Sequence, residues 1–295
     1  MILVTGASGN NGAEVIRHLS SSGAAVRAMS RRPLENTTTV SPGVEFVTGD
    51  FDDPASLQRA LDGADSAFLV TNSSERVQAQ QLTFVEAACA AGVKHIVYIS
   101  QFRATRDSPV RFLRYHAVVE GAIARSGMAF TNLRPNLYMQ GLLAYRSSIA
   151  SEGRFFAPAG DSRVSVVDVR DIAAVAAVAL TETGHEGKTY DITGPAALTH
   201  AEMASVLSDV LGRHVTFVDI PEAAMRESLR QFGLPEWQAN GLIEDYAHYR
   251  RGEASMISRC VRDVTGQAPH SFVDFARDYR EAFLHESRTR SHGSR

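Results

Sequence analysis

Near its start the chain reads VTGASGNNG, from Val4 to Gly12, with glycines at 6, 9 and 12. An apolar run precedes this stretch, and the helical pattern NGAEVIRHLSSSG follows it. No other stretch constrains the fold as strongly. The first turn of a helix leaves backbone N–H groups unpaired and carries partial positive charge, so it attracts anions, phosphate above all. Glycines let the backbone turn sharply there and come close to such a ligand. Gly6 is placed to make the turn, Gly9 to allow the approach and Gly12 to let helix and strand pack closely. A strand, a glycine turn and a helix that open a run of βα units predict a dinucleotide-binding fold.

The rest of the first half continues that rhythm. AAVRAMS, VEFVTGD, SAFLVT, KHIVYIS and AFTNLRP read as strands; helical patterns cover LQRALDG, about residues 78–92 and about 109–127. Strands alternating with helices predict a doubly wound parallel sheet of Rossmann type, an α/β fold, over residues 1–150. After Pro135 the pattern loosens. RVSVVDVRDIAAVAAVALTE reads as a strand and an alanine-rich helix that begins near Asp168 or Asp171, and KTYDITGP as another strand. Thr199 and Glu202 form a capping-box signature, and residues 221–252 and 271–285 look helical. Residues 151–285 are therefore expected to form a smaller α/β lobe that returns some chain to the first sheet. The last ten residues, ESRTRSHGSR, read as a disordered tail.

Composition narrows the class of function. The net charge of −3 argues against a broad nucleic-acid footprint. No stretch reaches the roughly 20 apolar residues of a membrane helix, and no secretory signal is evident. Cys89 and Cys260 lie far apart with no ligand cluster, which argues against a zinc site or disulfide framework. Cys89, in an apolar helix, reads as a buried structural thiol. A cytoplasmic protein without metal, monomeric or a homodimer, is the expectation.

Which dinucleotide is expected follows from the second strand. NAD-preferring folds carry an acidic residue there for the ribose 2′-hydroxyl, but this chain reads MSRRP, with Arg31 and Arg32. A guanidinium can hold a 2′-phosphate bidentately, so NADP(H) is preferred over NAD(H); the competing reading is a solvated basic pair. Further strand ends should face the same crevice. Asp50 and Phe51 would border the adenine, although Asp50 in GDFDDP reads equally well as a turn residue. Thr71 and Asn72, then Ser100, Gln101 and Phe102, end the next two strands.

Taken together, VTGASGNNG, GDFDDPASLQRAL, AAGVKHIVYIS, LRPNLYMQ, DVRDIAAVAAVAL and GHEGKTYDITGP resemble the NmrA-like branch of atypical short-chain dehydrogenases/reductases, which includes quinone oxidoreductases and triphenylmethane reductases. The resemblance spans roughly residues 2–285. It implies NADPH lying across the sheet. The turn Gly6, Ala7, Ser8, Gly9, Asn10, Asn11 and Gly12 would hold the pyrophosphate, and Arg31 the 2′-phosphate. Thr71 and Asn72 would line the path, while Ser100 to Phe102 and Pro135, Asn136 and Leu137 would surround the nicotinamide.

Most short-chain reductases use a Tyr with a Lys four residues later, sharing one helix face. This chain has only Lys94 and Lys188, preceded at that spacing by Ala90 and Gly184, so it contains no such pair. Where the pair would fall, Tyr115 is followed by Val119, while His116 and Glu120 share the i, i+4 spacing; that pair reads either as an oriented imidazole or as a solvated couple. Reduction of an isolated carbonyl leaves a basic alkoxide and needs a strong local acid, whereas a quinone or dye gives a delocalised product for which positioning supplies much of the rate. The expected function is hydride transfer from NADPH to a small aromatic or quinone acceptor, with His116, Tyr138 and Gln101 as catalytic candidates. Tyr138, Met139, Phe232 and Trp237 suit an apolar wall for that acceptor, and each reads equally as a core or interface residue. The alternative is a dinucleotide-binding redox sensor acting on a protein partner. A sugar epimerase or carbonyl reductase is disfavoured by the missing Tyr–Lys pair.

Overall fold

The computed structural model describes residues 1–33 and 43–285; the expected tail at 286–295 lies outside the described residues. The first half runs β1 (Ile2–Val4), α1 (Asn10–Ser21), β2 (Val26–Ser30), β3 (Val44–Thr48), α2 (Pro54–Leu61), β4 (Ser66–Leu69), α3 (Val77–Ala90), β5 (His95–Ile99), α4 (Arg111–Arg125) and β6 (Ala129–Pro135). A 3₁₀ turn at Met139–Tyr145 leads into α5 (Arg146–Glu152), β7 (Arg154–Ala157), α6 (Val169–Thr181), β8 (Lys188–Ile192), α7 (His200–Leu211) and β9 (Thr216–Asp219). The chain ends with α8 (Glu222–Gln231), α9 (Glu236–Arg250), α10 (Cys260–Thr265), α11 (Phe272–Asp278) and α12 (Arg280–Leu284).

Seven parallel strands form the main sheet in the order β3-β2-β1-β4-β5-β6-β8. The order reverses between β1 and β4, and the crevice beyond the strand ends at that reversal is where such sheets bind ligands. Alternation along each strand feeds two cores. Leu69, Ile96 and Tyr98 pack with Leu57, Phe84 and Ile123 of α2, α3 and α4. Phe68 and Val97 point the other way, onto Val15 and Leu19 of α1 and Ile172 and Ala176 of α6. Each such fully buried large side chain contributes about 1.5–3 kcal/mol. These features bear out the doubly wound α/β reading.

The later chain departs from expectation in places. The run at 163–167 forms no sheet strand, because Val166 donates its N–H to the Val164 carbonyl (3.0 Å) and the chain bends; only the isolated bridges Val164–Leu198 and Tyr138–Val167 result. The helical stretch at 221–252 is two helices, since Gly233 takes φ +75° and Pro235 follows. A second, two-stranded parallel sheet pairs β7 with β9. It covers a third core of Phe155, Met203, Leu207, Phe275 and Phe283. Asp168 caps α6 through the Arg170 N–H, and Thr199 and Glu202 form the expected capping box on α7. Cys89 is exposed, not buried: it lies near the end of α3 on the face turned from the sheet, while Cys260 is the buried thiol. No described helix is long and apolar enough to cross a membrane.

Candidate functional site

The glycine turn has the expected roles in its backbone. Gly6 takes φ +62°, a conformation that favours glycine. Gly9 caps α1 with no side-chain hydrogen bond, so the first N–H groups of the helix remain open for a ligand. A side chain on Gly9 would meet only the Gly6 carbonyl oxygen at 3.3 Å, whereas one on Gly12 would sit 2.2 Å from that oxygen. Gly9 therefore leaves space for a ligand, and Gly12 leaves none for anything but a helix against a strand. Ala7 donates its N–H to the Met29 carbonyl (3.2 Å), which ties the turn to the end of β2. From that end Arg31 and Arg32 emerge exposed, and no described acidic residue pairs with them. Ser8 and Asn10 are exposed on the same turn.

Beyond the reversal point lies a cavity of about 340 Å³. Asn11, Thr71, Ser100, Gln101, His116, Pro135, Asn136, Leu137 and Tyr138 all line it. Strand ends that are distant in sequence thus meet as expected. Other candidates fall elsewhere. Phe102 is buried away from the cavity, under the Arg103 guanidinium at 5.6 Å, and Phe51 packs on Phe84 at 5.7 Å. Asn72 is exposed. Asp50 accepts from the Asp52 N–H (3.0 Å), which is the turn arrangement. Asn136 lines the cavity, but its side-chain amide turns inward and donates to Ser165 Oγ and the Ala254 carbonyl, both at 2.8 Å.

The pairing of His116 with Glu120 does not form. Glu120 instead takes a bidentate guanidinium from Arg134 and the hydroxyl of Ser100, because β6 brings Arg134 against that helix face. His116 belongs to a buried chain: Gln81 Nε2 donates to Thr71 Oγ1 (2.8 Å), and the Tyr98 hydroxyl donates to Gln81 Oε1 (2.8 Å). The Tyr98 oxygen is then the acceptor for His116 Nδ1–H at 2.6 Å. Burial, helped by the Arg134 charge, pulls the imidazole down to about 3, so it is neutral and is not a charged acid. Burial pushes the Tyr138 phenol up to about 12; Asn11 Nδ2 donates to its oxygen at 3.3 Å.

A second cavity of about 850 Å³ opens beside the first. Leu137, Tyr138, Gly141, Asp245 and Tyr249 line both, so the two spaces adjoin. Its walls are mainly apolar, with Met139, Phe155, Met203, Met225 and Leu242 among them, and the exposed Phe232 stands at its rim. Tyr138, Met139 and Phe232 are thus where the sequence put them. Trp237 is not: it packs on Phe112 (5.3 Å) and Tyr115 (6.1 Å), at the seam of α4 and α9. That seam is locked by Arg111, whose guanidinium and backbone N–H all reach Glu244 at 2.7–3.1 Å.

The neighbouring Asp245 was missed by sequence reading. It is buried, and Gln101 Nε2 donates to both of its oxygens at 3.0 and 3.2 Å. Burial pushes its carboxyl up to about 7, and the charge of Glu244 adds to the shift. Nothing in GLIEDYAHY distinguishes it from a solvated helix carboxylate. Among the described residues no cluster could hold a metal ion.

The turn fits a dinucleotide by its own features: an uncapped helix start, a Gly9 with room beside it, and the side-chain oxygen Oδ1 of Asn11, buried without a partner. The comparisons with known proteins agree with that geometry. The model of the NmrA-like family matches residues 1–271. The NAD(P)H azoreductase of Xenophilus azovorans is 37% identical, over 96% of this chain and 99% of its own. The NADPH complex of the Escherichia coli quinone oxidoreductase QOR2 superposes with a TM-score of 0.84 at 30% identity, over 94% of this chain and 98% of that one. The NADP(H) complex of the Citrobacter triphenylmethane reductase does the same, with a TM-score of 0.84 and 30% identity over 95% and 100% of the two chains. This chain belongs to the NmrA-like family, alongside these reductases.

Proposed function

We propose that this chain transfers a hydride from NADPH to a quinone or a similar flat aromatic acceptor. The observation that carries this reading is the pair of adjoining cavities, one at the strand ends with Asn11, Thr71, Ser100 and Gln101 in its lining and a larger, more apolar one, with Tyr138 and Asp245 at their junction. A nicotinamide in the first would face an acceptor in the second, and an apolar space of this size suits a planar aromatic molecule. In this reading the N–H groups after Gly9 hold the pyrophosphate and the exposed Arg31 holds the 2′-phosphate, with Arg32 beside it. When bound, the cofactor supplies the hydride. The protein's part is positioning: Asn11 and Tyr138 fix the cofactor end of the junction, and the apolar walls hold the acceptor flat and exclude water. The three reductases above act on azo, quinone and dye acceptors by name, which supports an aromatic acceptor here.

The test is NADPH consumption by the purified chain with and without a small naphthoquinone, set against NADH. Quinone-dependent consumption that prefers NADPH is the expected result. Tight NADPH binding with no consumption across quinones and dyes would overturn the reductase reading in favour of a sensor.

A further inference from the structure

We propose that Asp245 is the proton donor of this reaction, an inference that rests on the reductase reading above. Three geometric facts carry it. Asp245 is the carboxyl group that lies on both cavities, at their shared wall. It is buried, with no cation paired to it among the described residues. Its side-chain hydrogen-bond partner among the described residues is the Gln101 amide, which donates to it and takes no proton. The groups around it also leave the role to it. Glu244, next to it on α9, is held ionised by Arg111 and so has no proton to give. Tyr115 on α4 and Tyr246 and Tyr249 on α9 feel its charge and are themselves pushed upward by burial, so they hold their protons tightly. His116 is neutral, its Nδ1–H engaged by Tyr98, and the Tyr138 phenol is too weak an acid near neutral pH. A carboxyl that titrates near 7 is matched to proton transfer at that pH.

A quinone takes the hydride and its electron pair, and an aryloxide is left on oxygen. The Asp245 O–H bond breaks and its proton forms the new phenol O–H; once the product has left, the carboxylate regains its proton from hydronium in the solvent that refills the apolar cavity. NADPH is the reductant and leaves as NADP⁺. A cationic triarylmethane dye differs: hydride addition to its central carbon gives a neutral product and needs no proton.

The deciding experiment is single-turnover reduction by the NADPH-loaded full chain, wild type and Asp245→Asn, of a small naphthoquinone and of a cationic triarylmethane dye. The range is roughly pH 5.5 to 9. The wild-type quinone rate should fall about tenfold per pH unit above about 7, as the donor loses its proton. Asp245→Asn should be about 10²-fold slower with the quinone and independent of pH, the low end of general-acid effects because the aryloxide is weakly basic. Its dye rate and NADPH affinity should stay within about threefold of wild type. Without cofactor, infrared difference spectra should show a protonated-carboxyl band that titrates near pH 7 in wild type and is missing from the variant.

A flat wild-type quinone profile, a variant with the wild-type profile, equal loss with both acceptors, or no carboxyl band below neutrality would each overturn the assignment. Where only the quinone is reduced, NADPH affinity replaces the dye as the control for a merely structural effect. If wild type reduces neither acceptor, the reductase reading fails instead, and the infrared titration still reads Asp245 by itself.

Discussion

The crevice at the strand ends and the apolar cavity beside it share a wall yet are built on different plans. Most of the crevice is assembled from short segments at or just after β1, β4, β5 and β6, positions that the sheet fixes, and His116 of α4 with Asp245 and Tyr249 of α9 closes it. The cavity draws on the 3₁₀ turn after β6, on β7, and on α7, α8 and α9, elements more than 100 residues apart at the extremes. The first is backbone geometry with polar groups; the second is side-chain volume. A substitution in the crevice should therefore act on the cofactor with large effect, and one in the cavity on the acceptor with small effect.

The largest effect is expected at Gly12. Gly12→Ala would put a methyl 2.2 Å from the Gly6 carbonyl oxygen and 2.9 Å from that of Thr5, backbone on both counts. It should cost about 3 kcal/mol or more in stability and abolish measurable NADPH binding by titration calorimetry. Gly9→Ala should leave the thermal midpoint nearly unchanged while weakening NADPH, and equal damage from both would break the distinction drawn between approach and packing.

Arg31→Asp comes next. One charge-assisted bidentate contact is worth about 1.5–3 kcal/mol, so NADPH affinity should drop roughly 10- to 100-fold, with NADH affinity unchanged in the same titration. Equal loss for both cofactors would return Arg31 and Arg32 to a solvated basic pair.

A third prediction concerns stability against pH. The Asp245 carboxyl titrates at about 7 in the fold and near the ordinary ~3.9 when unfolded. A raised carboxyl favours the folded state fully below about pH 4 and loses that contribution as pH rises through about 7, because the unfolded chain ionises first. Asp245→Asn should thus unfold several degrees above wild type at about pH 8, an advantage that shrinks toward zero near pH 4. A pH-independent difference in melting would mean that the carboxyl is not withheld from water.

Smaller again, His116→Leu removes one hydrogen bond and leaves the Tyr98 hydroxyl with Gln81 alone, at a cost of about 1 kcal/mol. It should not move the pH profile of quinone reduction. At the small end, Phe232→Ser at the exposed rim should raise the KM for hydrophobic acceptors about two- to fivefold, with NADPH affinity unaffected.

These two plans also explain what could be read in advance. The glycine turn, the strands of the main sheet and the residues at their ends were legible because each signal is local: a turn residue, a cap or an alternating run. Thr71, Ser100, Gln101, Pro135 and Leu137 reach the crevice for that reason. The pairing of His116 with Glu120 failed because helical spacing shows which side chains share a face but not which residue a neighbouring strand presents to it, here Arg134. Strands β7 and β9 were missed because RFFA and TFVD, four residues each, are strands only through one another across some sixty residues of chain. Cys89 was misplaced because α3 is apolar on nearly every side, so pattern alone does not pick out its buried face. Asp245 carries no local mark at all. Its environment is made by Gln101, 144 residues earlier in the chain, and by the walls of two cavities drawn from segments scattered from Asn11 to Tyr249.

Glu244 and Asp245 are consecutive, so they are separated by roughly 100° of rotation about the axis of α9. That rotation divides a carboxylate fixed by the Arg111 fork from one kept dry beside Gln101. The angular setting of α9 is thereby an acidity control: the guanidinium that clamps one residue fixes the solvation of the next. A turn of the helix by a fraction of that angle would wet Asp245 and make it an ordinary surface acid.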